Sequence, residues 1–247
     1  MTTNAIITAA ALVIGDEILS GRTKDKNIGT IAAHLNDIGI QLREVRVVPD
    51  DEAEIVAAVI TLRAKYTYVF STGGIGPTHD DITADCMAKA FEVPIDVDPR
   101  AVAIMKPVYA KRGLEMTEAR LRMARIPEGA TLIENSISIA PGFMIGNVIV
   151  MAGVPDIMEA MLKDATRQLT TGAKMGADSI VLDRPESEIA ALFADHQRAF
   201  PDVTMGSYPS FNAGIYKTEL VLRSSLPERL SAATASLRAK LQSSGLL

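Results

Sequence analysis

The segment Ser71-Thr72-Gly73-Gly74-Ile75-Gly76-Pro77-Thr78-His79-Asp80-Asp81 carries the densest set of groups able to do chemistry in this chain. An apolar run at Tyr68–Phe70 leads into it, and an amphipathic stretch from about Ile82 to Phe91 leaves it, so it reads as a strand-to-helix loop. Gly73, Gly74 and Gly76 let the backbone take φ > 0 and let a ligand approach closely, because no Cβ intervenes. Backbone N–H groups in such a loop, backed by the positive end of a helix, make an anion site. The pattern is neither a Walker loop, which needs Gly-Lys-Ser/Thr, nor the Gly-x-Gly-x-x-Gly fingerprint. A glycine-rich turn closing a strand onto a helix is the structural alternative.

Asp80 and Asp81 follow at once. Carboxylates beside a phosphate repel it unless a hard cation such as Mg²⁺ or Mn²⁺ lies between them. Helix capping is the competing explanation, since Asp is favoured at N-caps and in first turns. Asp50 and Asp51 occupy the equivalent place after a second apolar run, and Asp51 with Glu54 reads as a capping box. Gly15-Asp16-Glu17 ends a first run, and Gly153-Val154-Pro155-Asp156 ends a last one. Ligands of open α/β sheets sit at the carboxyl ends of strands. Four strand ends bearing glycines and acids are therefore expected to share one rim. His79 has no second His at helical spacing, so His-based metal ligation is not expected, and His34 and His196 read as surface or packing residues. The lone cysteine, Cys86, reads as a small core residue. Met158 and Met161 read as core or interface filler.

The elements that must position these residues alternate short apolar runs with amphipathic stretches, the rhythm of a parallel sheet covered by helices. The apolar run from Ala5 to Ile14 is too short to span a bilayer and lacks a basic flank, so it reads as a buried strand, centred on Ala10–Ile14, and not as a signal peptide. A helix is expected from about Asp25 to Ile38, with Ile28, Ile31 and Leu35 on one face and Gly39 as its stop. Val45–Val48 is the next strand, and the helix after it carries Ile55, Val56, Val59 and Leu62. The region from Pro94 to Glu128 reads as mostly helical, two helices broken near Gly113. Phe143–Val150 reads as a hairpin turning at Gly146-Asn147, and Pro155 opens a helix reaching about Leu169. After a linker at Thr171-Gly172-Ala173 the order becomes strand, helix, strand, strand, helix: Ser179–Leu182, Ser187–Arg198, Val203–Tyr208, Tyr216–Arg223 and Pro227–Leu241.

Composition narrows the classes. At 247 residues the chain can bury a full core, and its 48% hydrophobic content is that of an ordinary globular protein. The net charge is −5 and Trp is absent, which argues against a nucleic-acid face or a stacking platform. One cysteine excludes an intrachain disulfide and a Cys-rich zinc site, and fits a reducing compartment. No stretch approaches transmembrane length, so a cytoplasmic protein without a membrane partner is expected. Residues from Ala173 to Leu247 hold eight basic and eight acidic residues, which places the acidity in the larger part.

These residues together resemble one family. Gly15-Asp16-Glu17-Ile18-Leu19 with Gly21, Asp25 and Asn27, then Val48-Pro49-Asp50, Gly73–Asp81, Asn135 to Gly142 and Gly153-Val154-Pro155 are similar to the MoaB/Mog-type molybdopterin-binding fold. More narrowly they resemble the N-terminal domain of competence/damage-inducible protein A (CinA) and the corresponding module of eukaryotic FAD synthase. Gly206-Ser207-Tyr208-Pro209 matches the region after that module, where CinA carries a KH-like fold. The resemblance implies an α/β domain over residues 1–172, with a mostly parallel sheet flanked by helices, and a small α+β subdomain, KH-like or ferredoxin-like, over 173–247.

The same resemblance implies roles. Asp50 and Asp81 match the acidic catalytic pair. Thr72, Gly73, Gly74, Gly76, Thr78 and Gly153 are the expected phosphate contacts, and Glu17, Asp80 and Asp81 the expected metal ligands. The implied activity is metal-dependent hydrolysis of an ADP-containing dinucleotide, ADP-ribose or FAD. The alternatives are adenylyl transfer to molybdopterin and a non-catalytic module that binds a pterin or nucleotide. The implied cofactor is a divalent cation, Mg²⁺, Mn²⁺ or Co²⁺, with K⁺ as a further candidate; no haem, flavin cofactor or Fe–S cluster is expected. A homo-oligomer is the expected assembly. Met151-Ala152-Gly153 departs from the Leu-Pro-Gly of many relatives, and the loop departs from the Thr-Gly-Gly-Thr-Gly of dedicated molybdopterin enzymes. The nicotinamide-mononucleotide deamidase and synthetase domains of the longer relatives have no counterpart here, so neither activity is expected. The small subdomain lacks a Gly-x-x-Gly loop and net positive charge, which argues against RNA binding in the usual KH mode.

Overall fold

The computed structural model describes residues 6–212 and 214–247. Ala5, the first residue of the N-terminal apolar run, lies outside the described residues. The described residues up to Gly172 form one compact unit, and those from Ala173 form a second.

The first unit runs β1 (Ile7–Ile14), α1 (Asp16–Leu19), α2 (Asn27–Asp37), β2 (Ile40–Val48), α3 (Glu52–Lys65), β3 (Tyr68–Thr72), α4 (Thr83–Phe91), β4 (Ile95–Val97), α5 (Pro99–Lys111), α6 (Glu118–Arg122), β5 (Arg125–Pro127), β6 (Thr131–Ile133), β7 (Gly142–Ile145), β8 (Val148–Met151) and α7 (Pro155–Ala165). Its main sheet has the order β2-β1-β3-β8-β7-β6. The first four of these neighbours pair in parallel and the last three antiparallel, with β8 common to both sets, so the sheet is parallel across β2, β1, β3 and β8.

The period of two in the central strands divides the core. Ala10, Leu12, Ile14, Val69, Val148 and Val150 face one side, where Ile55, Val59 and Leu62 of α3 and Cys86 and Met87 of α4 cover them. Ala9, Phe70, Ile149 and Met151 face the other, under Ile31 and Leu35 of α2 and Met158, Met161 and Leu162 of α7. Because both faces are covered, β1 and β8 read as continuous apolar runs and not as alternating ones. Met158, Met161 and Cys86 are core residues, and burial pushes the Cys86 thiol up to about 12, which removes it as a nucleophile.

Three elements differ from the sequence reading. The region from Pro94 to Glu128 is not wholly helical, because β4 and β5 pair antiparallel and fasten the two ends of the α5–α6 excursion. Strands of three residues are too short to show a period. An unexpected β6 pairs with β7 at the sheet margin. Strand β2 begins at Ile40, well before Val45, and its Arg43, Glu44 and Arg46 are the polar residues of a sheet edge.

The second unit runs β9 (Gly176–Leu182), α8 (Ala190–Ala199), β10 (Thr204–Asn212), β11 (Ile215–Ser224) and α9 (Pro227–Ser243), a 3-10 turn preceding α8. Its antiparallel sheet has the order β10-β11-β9. Ile180, Leu182, Phe193, Leu220, Leu222 and Leu237 form its own core, in which His196 is buried and bonds the Ala233 carbonyl through Nε2 at 2.9 Å.

Candidate functional site

The chain leaves β1 to build β2 on one side and returns through α3 to build β3 on the other. This makes the gap between the carboxyl ends of β1 and β3 a topological switch point, where α/β sheets open a crevice. Gly15 donates to Val48 O at 3.1 Å and Gly73 to Met151 O at 3.1 Å, so the loops after β1 and β3 are pinned to their neighbouring strands. Gly73 has φ +103°, and a Cβ there would stand 2.1 Å from the Ile14 carbonyl oxygen. Only glycine allows the two loops to touch. Gly74 has φ +66°, and a Cβ there would meet Thr83 Oγ1 at 2.2 Å. That hydroxyl donates to Gly73 O at 2.9 Å, and the Thr83 N–H donates to Gly74 O at 3.0 Å, which ties the start of α4 to the loop.

The crevice holds about 780 Å³ and is lined across the sheet edge by Asp50 after β2, Gly15 and Glu17 after β1, Gly73, Gly74, Gly76, Asp80 and Asp81 after β3, and Gly153 after β8. Among the described residues the N–H groups of Gly74, Ile75 and Gly76 donate to no protein acceptor. Three consecutive unengaged donors on a glycine loop form a concavity for an anion.

The acidic side chains divide by environment. Asp50 Oδ2 accepts the Asp16 N–H at 3.0 Å. Burial, and then the charges of Asp16, Glu17 and Asp80, hold the Asp50 carboxyl above its ordinary value of 3.8 against that hydrogen bond. Asp51 instead caps α3, its Oδ1 accepting the Glu54 N–H at 3.1 Å. Asp81 Oδ2 accepts from both the N–H and the hydroxyl of Thr78, at 2.8 and 2.5 Å. Asp81 thus restrains its own loop while lining the cleft.

The placement of the remaining expected residues is uneven. Thr72 ends β3, is 1% exposed, and has a hydroxyl with no partner; neither it nor Thr78 lines the cleft. His79 is 98% exposed and lies 4.0 Å from Asp80. Glu17, Asp80 and Asp81 all line the cleft, yet among the described residues no three His, Cys, Asp or Glu side chains stand together closely enough to hold a metal ion. Asn27 is 5% exposed and donates to Gly153 O at 2.8 Å, holding the last rim loop in place.

Several lining residues escaped the sequence reading. Tyr109 and Arg112 arrive from the end of α5 and Met123 from just after α6, while Ile137 to Ala140, from the loop before β7, fall within the Asn135 to Gly142 motif but were given no role there. Tyr109 sits in the last turn of α5 and Arg112 at its C-cap, but nothing local says that this end turns to the Gly-rich loop.

A switch-point cleft with free loop amides and an acidic rim defines an α/β protein of the class that receives small ligands at the carboxyl ends of its strands. The chain belongs to the molybdopterin-binding domain family: residues 10–198 match the family described as "Probable molybdopterin binding domain". Residues 174–247 match the family described as "FAD synthase, middle domain". A CinA-like protein of Desulfosudis oleivorans is 36% identical over 209 residues, covering 80% of this chain and 51% of that protein. A "Probable FAD synthase" of Caenorhabditis elegans is 32% identical over 255 residues, covering 94% of this chain and 49% of its own. The chain therefore spans about half the length of these two relatives. The solved structure of the protein CinA, with unknown function, from Thermoplasma acidophilum is 38% identical and superposes with a TM-score of 0.60, over 67% of this chain and 98% of that one. Among the described residues no helix is long and apolar enough to cross a membrane.

Proposed function

We propose that this chain is a divalent-cation-dependent pyrophosphohydrolase of ADP-containing dinucleotides, ADP-ribose or FAD. The observation that carries the reading is the meeting of three free amides, Gly74 to Gly76, with an Asp50 carboxyl of raised proton affinity in one cleft. The similarity to an FAD synthase and to CinA-like proteins supports a nucleotide as the ligand.

Carboxylate oxygens on the rim are the donor type a hard cation takes, and because no three of them stand together among the described residues, a cation there would draw most of its oxygens from phosphate and water. One or two of Glu17, Asp80 and Asp81 would hold it, and when bound it would neutralise charge on the phosphoanhydride. The Gly74–Gly76 amides bind and orient one phosphate. Asp50 takes a proton from the attacking water, whose oxygen forms the new P–O bond as the bridging P–O bond breaks. A carboxylate held above its ordinary value is the better proton acceptor. Incubation with ADP-ribose and FAD in Mg²⁺, Mn²⁺ or Co²⁺ tests this; absence of AMP release in every condition overturns it.

The family match favours a second reading, adenylyl transfer to molybdopterin. That reading requires ATP consumption only when the pterin is present. Tight nucleotide binding without turnover, insensitive to Asp50→Ala, would instead mark a non-catalytic binding module.

A further inference from the structure

Four acidic side chains line the cleft, Glu17, Asp50, Asp80 and Asp81, and among the described lining residues only one is basic, Arg112. Its guanidinium has no ion pair or hydrogen bond among the described residues. Of the neighbouring arginines, Arg122 borders the same loop outside this cleft, donating Nη2 to Asp81 O at 3.5 Å while its buried Nε has no partner among the described residues, and the others are engaged. Arg100 pairs with Asp98 at 2.6 Å, Arg125 with Asp85 at 2.6 Å, and Arg120 lies over the Tyr109 ring at 4.7 Å. Arg112 caps α5, where its N–H bonds Tyr109 O at 3.0 Å before Gly113 turns the chain at φ +67°. A helix C-terminus accommodates a cation, but that accounts for Lys111 as well as for Arg112, and Lys111 does not line the cleft.

We infer that Arg112 makes the cleft select a diphosphate over a monophosphate. This rests on the function proposed above. Three loop amides can serve the oxygens of one phosphate. The second phosphate of an anhydride would otherwise lie among carboxylates, and a free guanidinium in the same cleft supplies the planar fork that binds phosphate oxygens in pairs. Arg112 is thus a specificity-determining residue for the anhydride, and the apolar wall of Tyr109, Met123 and Ile139 beside it is left to the organic part of the ligand.

Calorimetric titration with α,β-methylene-ADP, in which CH₂ replaces the bridging oxygen, and with AMP, both in Mg²⁺, tests the assignment. The proteins are wild type, Arg112→Ala, Arg112→Lys and Lys111→Ala. The expected result is that Arg112→Ala binds the diphosphate about tenfold to a hundredfold more weakly while AMP changes by less than about threefold. Arg112→Lys falls between, and Lys111→Ala matches wild type. Equal losses for both ligands, no loss for either, or the same loss in Lys111→Ala overturns the role of Arg112 and leaves the hydrolase reading standing. A wild-type protein that binds neither ligand and hydrolyses neither dinucleotide overturns that reading, and this inference with it.

Discussion

Thr78 gives both its N–H and its hydroxyl to a single carboxylate oxygen of Asp81. The Gly-rich loop therefore carries an anion of its own. The carboxylate lies over Gly76, where an added Cβ would stand 2.6 Å from Asp81 Oδ2. The amides of Gly74 to Gly76 are free for a ligand, whereas the donors of Thr78 are already taken by Asp81.

Asp81→Ala separates restraint from reaction. The substitution frees the Thr78 donors and removes a like charge, so affinity for a non-hydrolysable diphosphate is expected to rise. Turnover is expected to fall by about 100-fold or more, the scale of losing a positioned acid–base or ligand carboxylate. Turnover within about threefold of wild type would remove Asp81 from the chemistry.

Asp50→Asn is expected to raise thermal stability at neutral pH while abolishing hydrolysis. The Asp50 carboxyl titrates above its ordinary 3.8 in the folded chain, so between those values the folded state binds more protons than the unfolded state. Stability from this group then falls as pH rises through the window, and its charge is a cost at neutral pH. The Tm advantage of the Asn variant should shrink as pH is lowered towards 3.8. Melting curves across pH check the sign.

The loop glycines should respond differently to the same methyl group. Gly73→Ala places a Cβ against the Ile14 carbonyl at a positive φ, and should cost about 2–4 kcal/mol in urea unfolding. Gly76→Ala has no positive φ, and its Cβ meets only the Asp81 carboxylate. Its stability should stay within about 1 kcal/mol of wild type, while hydrolysis drops because Asp81 is pushed aside. A Gly76→Ala protein of full activity would show that the position of Asp81 does not matter.

Asn27→Ala removes the donor that holds Gly153 O, leaving a part-buried carbonyl unpaired. A loss of about 1–3 kcal/mol is expected. If Gly153 only shapes the rim, KM rises and kcat is kept; a fall in kcat with unchanged KM would instead place Gly153 at the reacting phosphate.

Much of the architecture was legible along the chain. The apolar runs ending in Gly15, Asp50, Gly73 and Gly153 reported their own strands, and the Asp51–Glu54 cap announced α3, because strand burial and capping are local in sequence. The β4–β5 clasp, the β6 edge and the Tyr109–Arg112 end of α5 were not legible. Each depends on a partner far along the chain, and three-residue strands or a short amphipathic turn carry no period that names that partner.

The amino-acid order by itself determined that a glycine loop closes one strand and that acids close its neighbours, since glycine permits the φ values and Asp the caps wherever the chain lies. Only the tertiary structure decided which of those acids share a cleft. The strand order β2-β1-β3-β8 sets Asp50, Glu17, the Gly73 loop and Gly153 side by side, because the chain reverses direction at β1. The same packing raised the proton affinity of Asp50 and brought the single free cation among the described lining residues, Arg112, from an excursion far downstream. Charge and burial act through space, so neither could be read from neighbours in the chain.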